Sequence, residues 1–438
     1  MRSHDLTGLR QSIRLGASAP ECPARPLPGP SLTDPVRSAT SPPPRSLFRD
    51  GSFLRLWAIG SMIMATRWLE ILATSVFTYA ITESALAVAL VNLARTAPNL
   101  LFGAFTGAIA DRFDRRLLLI CGQASIAGVS AILWLLAGTG LITPWYIAIG
   151  AFLNGIVFST EFPVRRALMA EIAGMDRVGR AMGLDLTANN ATRIIGPAAG
   201  GLIYEALGIG GVYMVAMAVY LMGVVLAVGV VRMPRPIAAA TRNVFQSVGE
   251  GLRYVRSQPA LMGTMALTVI MNIWGFPYAN MVPVVARDEL GLSPFPTGLL
   301  MAGEGVGALI GSLLVAAYAR PAHFAKLYLY GAFLLISCVV LFSFSRFFEL
   351  SIAITFLAGF GVAGFTTMQA TLPYVLSPPE MRARVMGVLS VCVGSGPIGL
   401  LNLGLMSEWF GASNALLVSG IEGLVALAVA FLVWREIR

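Results

Sequence analysis

Residues 180–208 read RAMGLDLTANNATRIIGPAAGGLIYEALG, and residues 384–411 read RVMGVLSVCVGSGPIGLLNLGLMSEWFG. Both stretches begin with Arg-X-Met-Gly and end with Glu-X-X-Gly, and each carries a mid-stretch proline beside glycine, Pro197 and Pro397. Long apolar stretches rich in small residues are typical of helices that cross a bilayer and pack closely on their neighbours. The repeat therefore predicts two similar halves that point the same way across a membrane.

The chain from Phe53 onward consists of similar apolar runs with little between them. The hydrophobic fraction is 56% and the charged fraction 12%, with a mean hydropathy of +0.76, which leaves too little polar side chain to cover a water-facing surface. The sequence predicts an all-α integral membrane protein with twelve transmembrane helices in two parallel six-helix repeats. The predicted spans are approximately 54–81, 85–110, 117–137, 144–163, 181–206, 211–231, 260–284, 296–319, 326–344, 348–375, 384–407 and 413–434.

Four segments follow from this division. The stretch before Phe53 is rich in proline, serine and arginine and cannot bury a core, so we expect a disordered cytoplasmic tail. The gap between spans six and seven is the longest and most polar, and is expected to link the two halves. The predicted segments are the tail 1–52, a six-helix bundle 53–231 (the first half), a cytoplasmic linker 232–259 and a six-helix bundle 260–438 (the second half).

The basic residues indicate the orientation, because loops that remain in the cytoplasm retain Lys and Arg. Of the 31 such residues, Arg67, Arg95 and Arg193 lie inside predicted spans, and Arg287 and Arg346 lie on one side of the membrane. All the others belong to the N-terminal segment, the even-numbered loops or the C-terminus. This distribution predicts that both termini are cytoplasmic. Lysine is nearly absent, which is typical of a GC-rich bacterial genome and predicts a bacterial inner (plasma) membrane location.

Several classes of function are excluded by the composition. The four cysteines lie far apart, and His4 and His323 are isolated, so we expect no metal site. The single lysine, Lys326, follows alanine, and a Walker loop therefore cannot form. The net charge of +9 is spread over short loops without aromatic residues to stack bases, so no nucleic-acid partner is expected. Without a nucleophile and base set, neither an enzyme nor a cofactor is predicted.

The loop after the second span reads GAIADRFDRR, Gly107 to Arg116. It resembles the signature that the major facilitator superfamily carries between helices 2 and 3. The resemblance implies a cytoplasmic latch, in which the loop contacts the start of helix 11. Asp114 replaces the usual glycine of the family and tolerates a left-handed turn less easily. The implied latch residues are Gly107, Asp111, Arg112, Arg115, Arg116 and Arg384.

A second resemblance lies in span five, which is similar to the antiporter motif of the same superfamily. Thr192 departs from the usual glycine. Gly196 and Gly200 give a flat face, expected to pack against the neighbouring half, and Pro197 bends the helix. In the family, such a helix is associated with exporters. The implied motif residues are Gly183, Gly196, Pro197, Gly200 and Gly201.

Residues 162–168 (FPVRRAL), with RAMG at 180–183 and RIIGP at 193–197, are similar to a branch that contains enterobactin exporters and macrolide-efflux carriers. The resemblance covers most of residues 53–438. It implies the major facilitator fold, in which helices 1, 4, 7 and 10 line a cavity and helices 2, 5, 8 and 11 form the walls where the halves meet.

Charges inside predicted spans indicate the mechanism, because each costs about 2.5–3.5 kcal/mol at the bilayer centre. Arg67 and Glu70 lie three residues apart, and we expect them to pair. Arg95 and Arg193 lie near the middle of their spans, either in buried ion pairs that fix helix registry or in the cavity. Glu304 stands among glycines without a basic neighbour in sequence. Glu70 and Glu304 are therefore the candidate proton carriers.

Amide and aromatic side chains complete the predicted cavity, and such a sparse polar lining suits bulky amphipathic molecules better than sugars. Away from the cavity, Glu161 is expected to pair with Arg165 four residues later, and Asp185 to lie near the cytoplasm, where it could serve the latch. The cavity candidates besides the charged residues are Asn189, Asn272, Trp274 and Gln369.

These observations favour a secondary active exporter of amphipathic small molecules of drug, macrolide or siderophore type, driven by protons because carboxylates are the available carriers. Two alternatives remain open: an uptake symporter for a defined metabolite, and a transporter-like sensor that binds without moving its ligand. The expected partners are a small-molecule substrate, protons and the lipid bilayer, and the chain is expected to act as a monomer.

Overall fold

The computed structural model describes residues 47–174, 176–231 and 244–434; the side chains of residues 102–112 and 244–247 lie outside this description. Regular structure in these ranges is helical. The helices are α1 (Gly51–Thr82), α2 (Ala85–Arg112), α3 (Arg115–Gly138), α4 (Pro144–Ala173), α5 (Val178–Val228), α6 (Val244–Arg256), α7 (Pro259–Ile270), α8 (Tyr278–Asp288), α9 (Pro294–Tyr318), α10 (Phe324–Ser343), α11 (Phe348–Leu376), α12 (Arg382–Val393), α13 (Gly396–Phe410) and α14 (Ala412–Val433), with 3-10 turns at Leu47–Arg49 and Pro321–His323 and a π turn at Met271–Gly275.

Ten helical segments in the described ranges are long and apolar enough to cross a bilayer. One of them, α5, is 51 residues long and covers two predicted spans. Its backbone breaks at Gly208, where φ is 65° and ψ is −168°, a conformation that glycine adopts without the steric cost of a Cβ atom. Another, Pro259–Asp288, joins α7 and α8 through the π turn. The protein is thus an all-α membrane protein.

Two helices extend beyond the approximate spans predicted for them. Helix α1 begins at Gly51 rather than after residue 52, because Asp50 caps it: Asp50 Oδ1 accepts from Ser52 N at 3.0 Å and from Phe53 N at 3.2 Å. Helix α4 does not end at Pro163 but continues to Ala173. A proline removes only one backbone hydrogen bond, and packing of the residues after it stabilises the continued helix. Residues 1–46 of the predicted tail lie outside the described residues.

Buried apolar residues form one large cluster in the second half that extends onto α1 and α2 through Leu72 and Val88. A second cluster lies within the first half and includes Phe53, Leu56 and Tyr220. The predicted linker contains helix α6, which packs against α12 and α7. The two halves are therefore joined through apolar contacts on α1 and α2 as well as through the chain.

Helix α5 packs most extensively on α1 and α9, and its glycines show how. A Cβ atom at Gly196 would lie 2.7 Å from the backbone oxygen of Ala65, and one at Gly200 would lie 2.8 Å from that of Leu69. The expectation that Gly196 and Gly200 face the neighbouring half is therefore wrong, because both face α1 of their own half. It is Gly201 that faces the second half, against the backbone of α9.

We expect Gly200→Ala to destabilise the protein by about 1–3 kcal/mol, because the new methyl group would meet backbone atoms that cannot rotate away. Gly183→Ala is the matched control on the same helix, since a Cβ atom there meets nothing within 4 Å. It should leave stability unchanged or raise it, because alanine has the higher helix propensity. Apparent Tm values of the purified variants in detergent test this, and equal Tm values for the two variants would contradict it.

Candidate functional site

A cavity of about 650 Å³ lies between helices of the first and the second half. Its walls come from α1, α2, α4 and α5 on one side and from α8, α9 and the residues just before α8 on the other. The lining mixes aromatic rings, amides and three charged groups. The lining residues are Met64, Arg67, Trp68, Ile71, Thr96, Asn99, Phe158, Ser159, Phe162, Pro163, Asn189, Arg193, Phe276, Tyr278, Ala279, Asn280, Met301 and Glu304.

Glu304 forms an ion pair across the two halves. Its Oε1 accepts from Arg193 Nη2 of α5, and its Oε2 accepts from the Tyr278 hydroxyl of α8. The Arg193 guanidinium carbon also lies 5.0 Å from the centre of the Trp68 ring, in a cation–π contact. The sequence around Glu304 has no basic residue, and its partner comes from a helix more than a hundred residues away. Both charged groups line the cavity.

Glu70 belongs to a separate buried network that lies wholly within the first half. Its Oε2 accepts from Arg95 Nη1 at 2.9 Å and from Asn154 Nδ2 at 3.2 Å. Its Oε1 accepts from the Tyr220 hydroxyl at 3.2 Å. Glu70 and Arg95 are each 3% exposed, and neither lines the cavity. The network ties α1, α2, α4 and α5 together.

The expected pairing of Arg67 with Glu70 is wrong. The Arg67 guanidinium carbon instead lies 4.1 Å from the centre of the Phe158 ring, and its buried Nη1 has no hydrogen-bond partner. Although the two residues are three apart on α1, Glu70 is engaged by Arg95, which reaches it from the neighbouring helix. Arg67 lines the cavity.

The amide and aromatic candidates divide between the cavity and other places. Asn189 lines the cavity. Asn272 donates to the backbone oxygen of Thr268 at 2.8 Å, and Trp274 Nε1 donates to Glu422 Oε2 at 2.9 Å. The Nε2 atom of Gln369 is buried without a hydrogen-bond partner. None of Asn272, Trp274 and Gln369 lines this cavity, whereas Tyr278 and Asn280, which follow the π turn, do.

The predicted latch lies only partly in the described region, since the side chains of Asp111 and Arg112 and the surroundings of Gly107 lie outside it. Arg115 pairs with Glu171, and Arg116 donates to the backbone oxygen of Val228, both within the first half. Arg384 Nε lies 3.0 Å from Glu250 Oε2 of α6. The described partners of Arg115 and Arg116 thus lie in the first half, and that of Arg384 lies in helix α6 of the linker.

The conformation and contacts of Asp114 account for an aspartate at the position where the family usually has glycine. Its φ is −63° and ψ 117°, so the position needs no left-handed turn. Instead, its Oδ1 caps α3 by accepting from Arg116 N at 2.8 Å and from Leu117 N at 3.3 Å. The aspartate thus gives the helix an N-cap that glycine could not provide.

A charged cluster at the far end of α4 is structural. The predicted pair of Glu161 and Arg165 is confirmed, with Arg165 Nε 3.0 Å from Glu161 Oε1. Asp185 accepts from Arg165 Nη1 at 2.6 Å and from Arg166 Nε at 2.9 Å. Arg165 was expected in a loop but is 1% exposed within α4, where two carboxylates compensate its charge.

Two glutamates that marked only the ends of the sequence repeat hold the halves together. Glu205 Oε2 accepts from Ser293 Oγ at 3.0 Å and from Phe295 N at 2.9 Å, at the start of α9. Glu408 Oε2 accepts from Ser84 Oγ at 2.8 Å, at the start of α2. In both cases a carboxylate of one half lies at a helix N-terminus of the other, where the helix dipole favours negative charge. We call Glu205 and Glu408 the carboxylate caps. The repeated Glu-X-X-Gly was the signal for them, but their partners are not visible in sequence.

These contacts gather at one end of the cavity. In addition to the carboxylate caps, the Tyr79 hydroxyl at the end of α1 donates to Asp288 at the end of α8. Gly201 packs on the backbone of Pro294 at the same end. We call this the closed end; it contains the ends of α1, α8 and α13, the break at Gly208 and the starts of α2 and α9.

A family model described as "Transmembrane secretion effector" matches residues 42–436. The chain belongs to this family of major facilitator transporters. Macrolide efflux protein A of Streptococcus pyogenes is 22% identical over 398 residues, which cover 88% of this chain and 96% of that protein. The staphyloferrin A transporter of Staphylococcus aureus is 22% identical over 387 residues, covering 86% and 95%.

The fold is also similar to a solved structure of the superfamily. The crystal structure of a bacterial homologue of the human lysosomal transporter Spinster, inward-facing and unoccupied, matches with a TM-score of 0.69. The match covers 88% of this chain and 96% of that one at 14% identity, so the likeness is one of fold. This major facilitator protein is a multi-pass membrane transporter and not an enzyme, and its bacterial relatives indicate the inner membrane.

For this transporter we expect Arg95→Met to destabilise the folded protein by about 3–5 kcal/mol, because it leaves the Glu70 carboxylate buried without its cation. Adding Glu70→Gln should recover part of the loss, since the remaining partners can hydrogen-bond an amide. Thermal or denaturant unfolding of the two single variants and the double variant forms a double-mutant cycle. If the loss of stability in the double variant equals the sum of the losses in the two single variants, the two residues do not act as a pair.

Proposed function

We propose that this transporter has twelve transmembrane helices in two parallel six-helix repeats, with substrate bound between them. The ten long segments include α5, which supplies two spans because it breaks at Gly208. The apolar part of α2, Ala85–Leu101, belongs to a 28-residue helix that supplies the twelfth. Residues 53–231 and 260–438 would form the two bundles, and 232–259 the linker. One chain supplies both walls of the cavity, so a monomer suffices.

The proposed orientation places both termini in the cytoplasm, as the distribution of basic residues favours. The closed end of the cavity then faces the outside of the cell, and the cavity is loaded from the cytoplasm. This orientation and the polar contacts at the closed end support alternating access, and the efflux names of two relatives, macrolide efflux protein A and a multi-drug resistance efflux pump, support export. The single observation that carries the proposal is that the cavity lies between the halves while most of the polar contacts between them lie at its outer end.

The proposed substrates are amphipathic small molecules of the drug, macrolide or siderophore type. A cavity of about 650 Å³ with aromatic rings, three asparagines and few charges is of the size that drug-sized ligands occupy. The names of the relatives, a macrolide efflux protein and a staphyloferrin A transporter, support this class.

Glu304 is the proposed site of proton coupling. It lines the cavity, and it forms the described ion pair that joins the halves. Protonation of its carboxylate would release Arg193 and favour separation of the closed end, and deprotonation would restore the pair. Glu70 is a weaker candidate, because the first half encloses it with three partners. We also propose that the latch acts through Asp111 at the cytoplasmic end, as the motif implies.

We expect Glu304→Gln to abolish proton-driven efflux while substrate binding persists, because an amide cannot carry a proton through the cycle. The assay is efflux from an efflux-deficient bacterial host expressing the protein, challenged with macrolides, dyes and siderophores, with and without a protonophore. Glu289→Gln is the matched control, since Glu289 pairs with Arg346 within the second half.

Wild-type protein should lower accumulation of at least one of these compounds in a protonophore-sensitive manner. Efflux that continues unchanged in Glu304→Gln at equal membrane expression would exclude Glu304 as the coupling site. Accumulation that rises with the wild-type protein would indicate uptake and would contradict export.

A further inference from the structure

The charged groups that line the cavity do not balance. They are Arg67, Arg193 and Glu304. Glu304 is committed to Arg193 and to the Tyr278 hydroxyl, so this pair is neutral as a unit. Arg67 is left with a positive charge, and the cavity in its present state is cationic.

No carboxylate of the described residues forms an ion pair with Arg67. Its polar atoms form no hydrogen bond or ion pair with any described residue; its contact is the face of the Phe158 ring at 4.1 Å. Glu70, which is the nearest acidic residue along α1, accepts from Arg95, Asn154 and Tyr220 and has its own counter-ion. A guanidinium carries five N–H donors and no acceptor. Leaving such donors partly buried and unpaired costs free energy that an anionic ligand would recover.

The surroundings of Arg67 fit the rest of an amphipathic anion. Trp68, Phe158, Phe162 and Phe276 supply aromatic surface. Asn99, Asn189 and Asn280 supply amides that can donate to or accept from neutral polar groups. A cationic ligand would instead meet Arg67 with no free carboxylate to offset it, since Glu304 is already occupied.

We propose that the cavity selects anionic amphipathic substrates, with a carboxylate or a similar anionic group bound by Arg67 and the apolar body held by the aromatic residues. The proposal rests on the assignment of the cavity as the substrate site and adds the charge of the substrate to it. Arginine suits this role because its planar fork binds carboxylates in a bidentate manner. An inside-negative membrane potential would assist export of such a substrate.

The test is direct binding to purified full-length protein in detergent, measured by fluorescence anisotropy with two dyes that share a xanthene skeleton. Fluorescein is anionic and rhodamine 123 is cationic. Wild-type protein should bind fluorescein at least about tenfold more tightly than rhodamine 123, since only fluorescein can form the charge-assisted hydrogen bonds. Arg67→Gln should weaken fluorescein binding by about tenfold or more without weakening rhodamine 123 binding.

Two further variants separate the role of Arg67 from a general effect on folding. Arg67→Lys keeps the charge but lacks the planar fork, so it should retain part of the fluorescein affinity, more than Arg67→Gln retains. Arg346→Gln removes an arginine of the second half that pairs with Glu289, far from the cavity lining, and should leave both affinities unchanged. The comparison of the two dyes on wild-type protein needs no variant at all.

Tighter binding of rhodamine 123 than of fluorescein by the wild-type protein would overturn the proposal, as would the absence of saturable fluorescein binding. An unchanged fluorescein affinity in folded Arg67→Gln would overturn it as well. Binding is measured without transport, so anion binding that depends on Arg67 in a protein that fails the efflux assay would contradict export and leave this proposal standing. Efflux of cationic compounds by a protein that binds no anions would support export and overturn the present proposal.

Discussion

The ion pair between Arg193 and Glu304 is the contact on which the arrangement of the two halves depends. In hydrocarbon, an uncompensated charge is costly, so each of these groups needs the other. Among the described residues, it is the one ion pair that joins the first half to the second. Glycine makes the approach of α5 and α9 close enough for it. A Cβ atom at Gly305 would lie 2.9 Å from the backbone oxygen of Arg193.

The carboxylate caps hold the closed end in a different way. Glu205 and Glu408 occupy equivalent positions in the repeat, and each caps a helix of the opposite half. A carboxylate at an exposed helix N-terminus contributes about 0.3–1 kcal/mol. Two such contacts are strong enough to bias an equilibrium and weak enough to be broken in each transport cycle. In the proposed mechanism, the deeper ion pair adds a contact that protonation would switch, whereas the buried network of Glu70 would keep the first half rigid while the halves move.

Most of the fold could be predicted from sequence, because a bilayer imposes long apolar helices whose lengths and repeat are visible in the residues. The Glu161 and Arg165 pair was also predictable, since both residues lie one turn apart on one helix. The partners of Glu70 and Glu304 were not, because Arg95 and Arg193 reach them from other helices and local spacing cannot show such contacts. The same holds for Arg384, whose partner Glu250 lies in a helix inside the predicted linker, and for the carboxylate caps.

The central claim is that Arg193, Glu304 and the carboxylate caps hold one end of the cavity closed in a reversible manner. Double electron–electron resonance tests it most directly, because it measures the distance between two spin labels. The labels are placed at Thr139, after α3, and at Asn414, at the start of α14, once the native cysteines are replaced by serine. Glu304→Gln, and the double variant Glu205→Gln with Glu408→Gln, should each shift the distance distribution towards longer values than in the wild-type background. Glu289→Gln, which removes a charge from a pair within the second half, should not. A distribution that stays the same in both test variants would contradict the account.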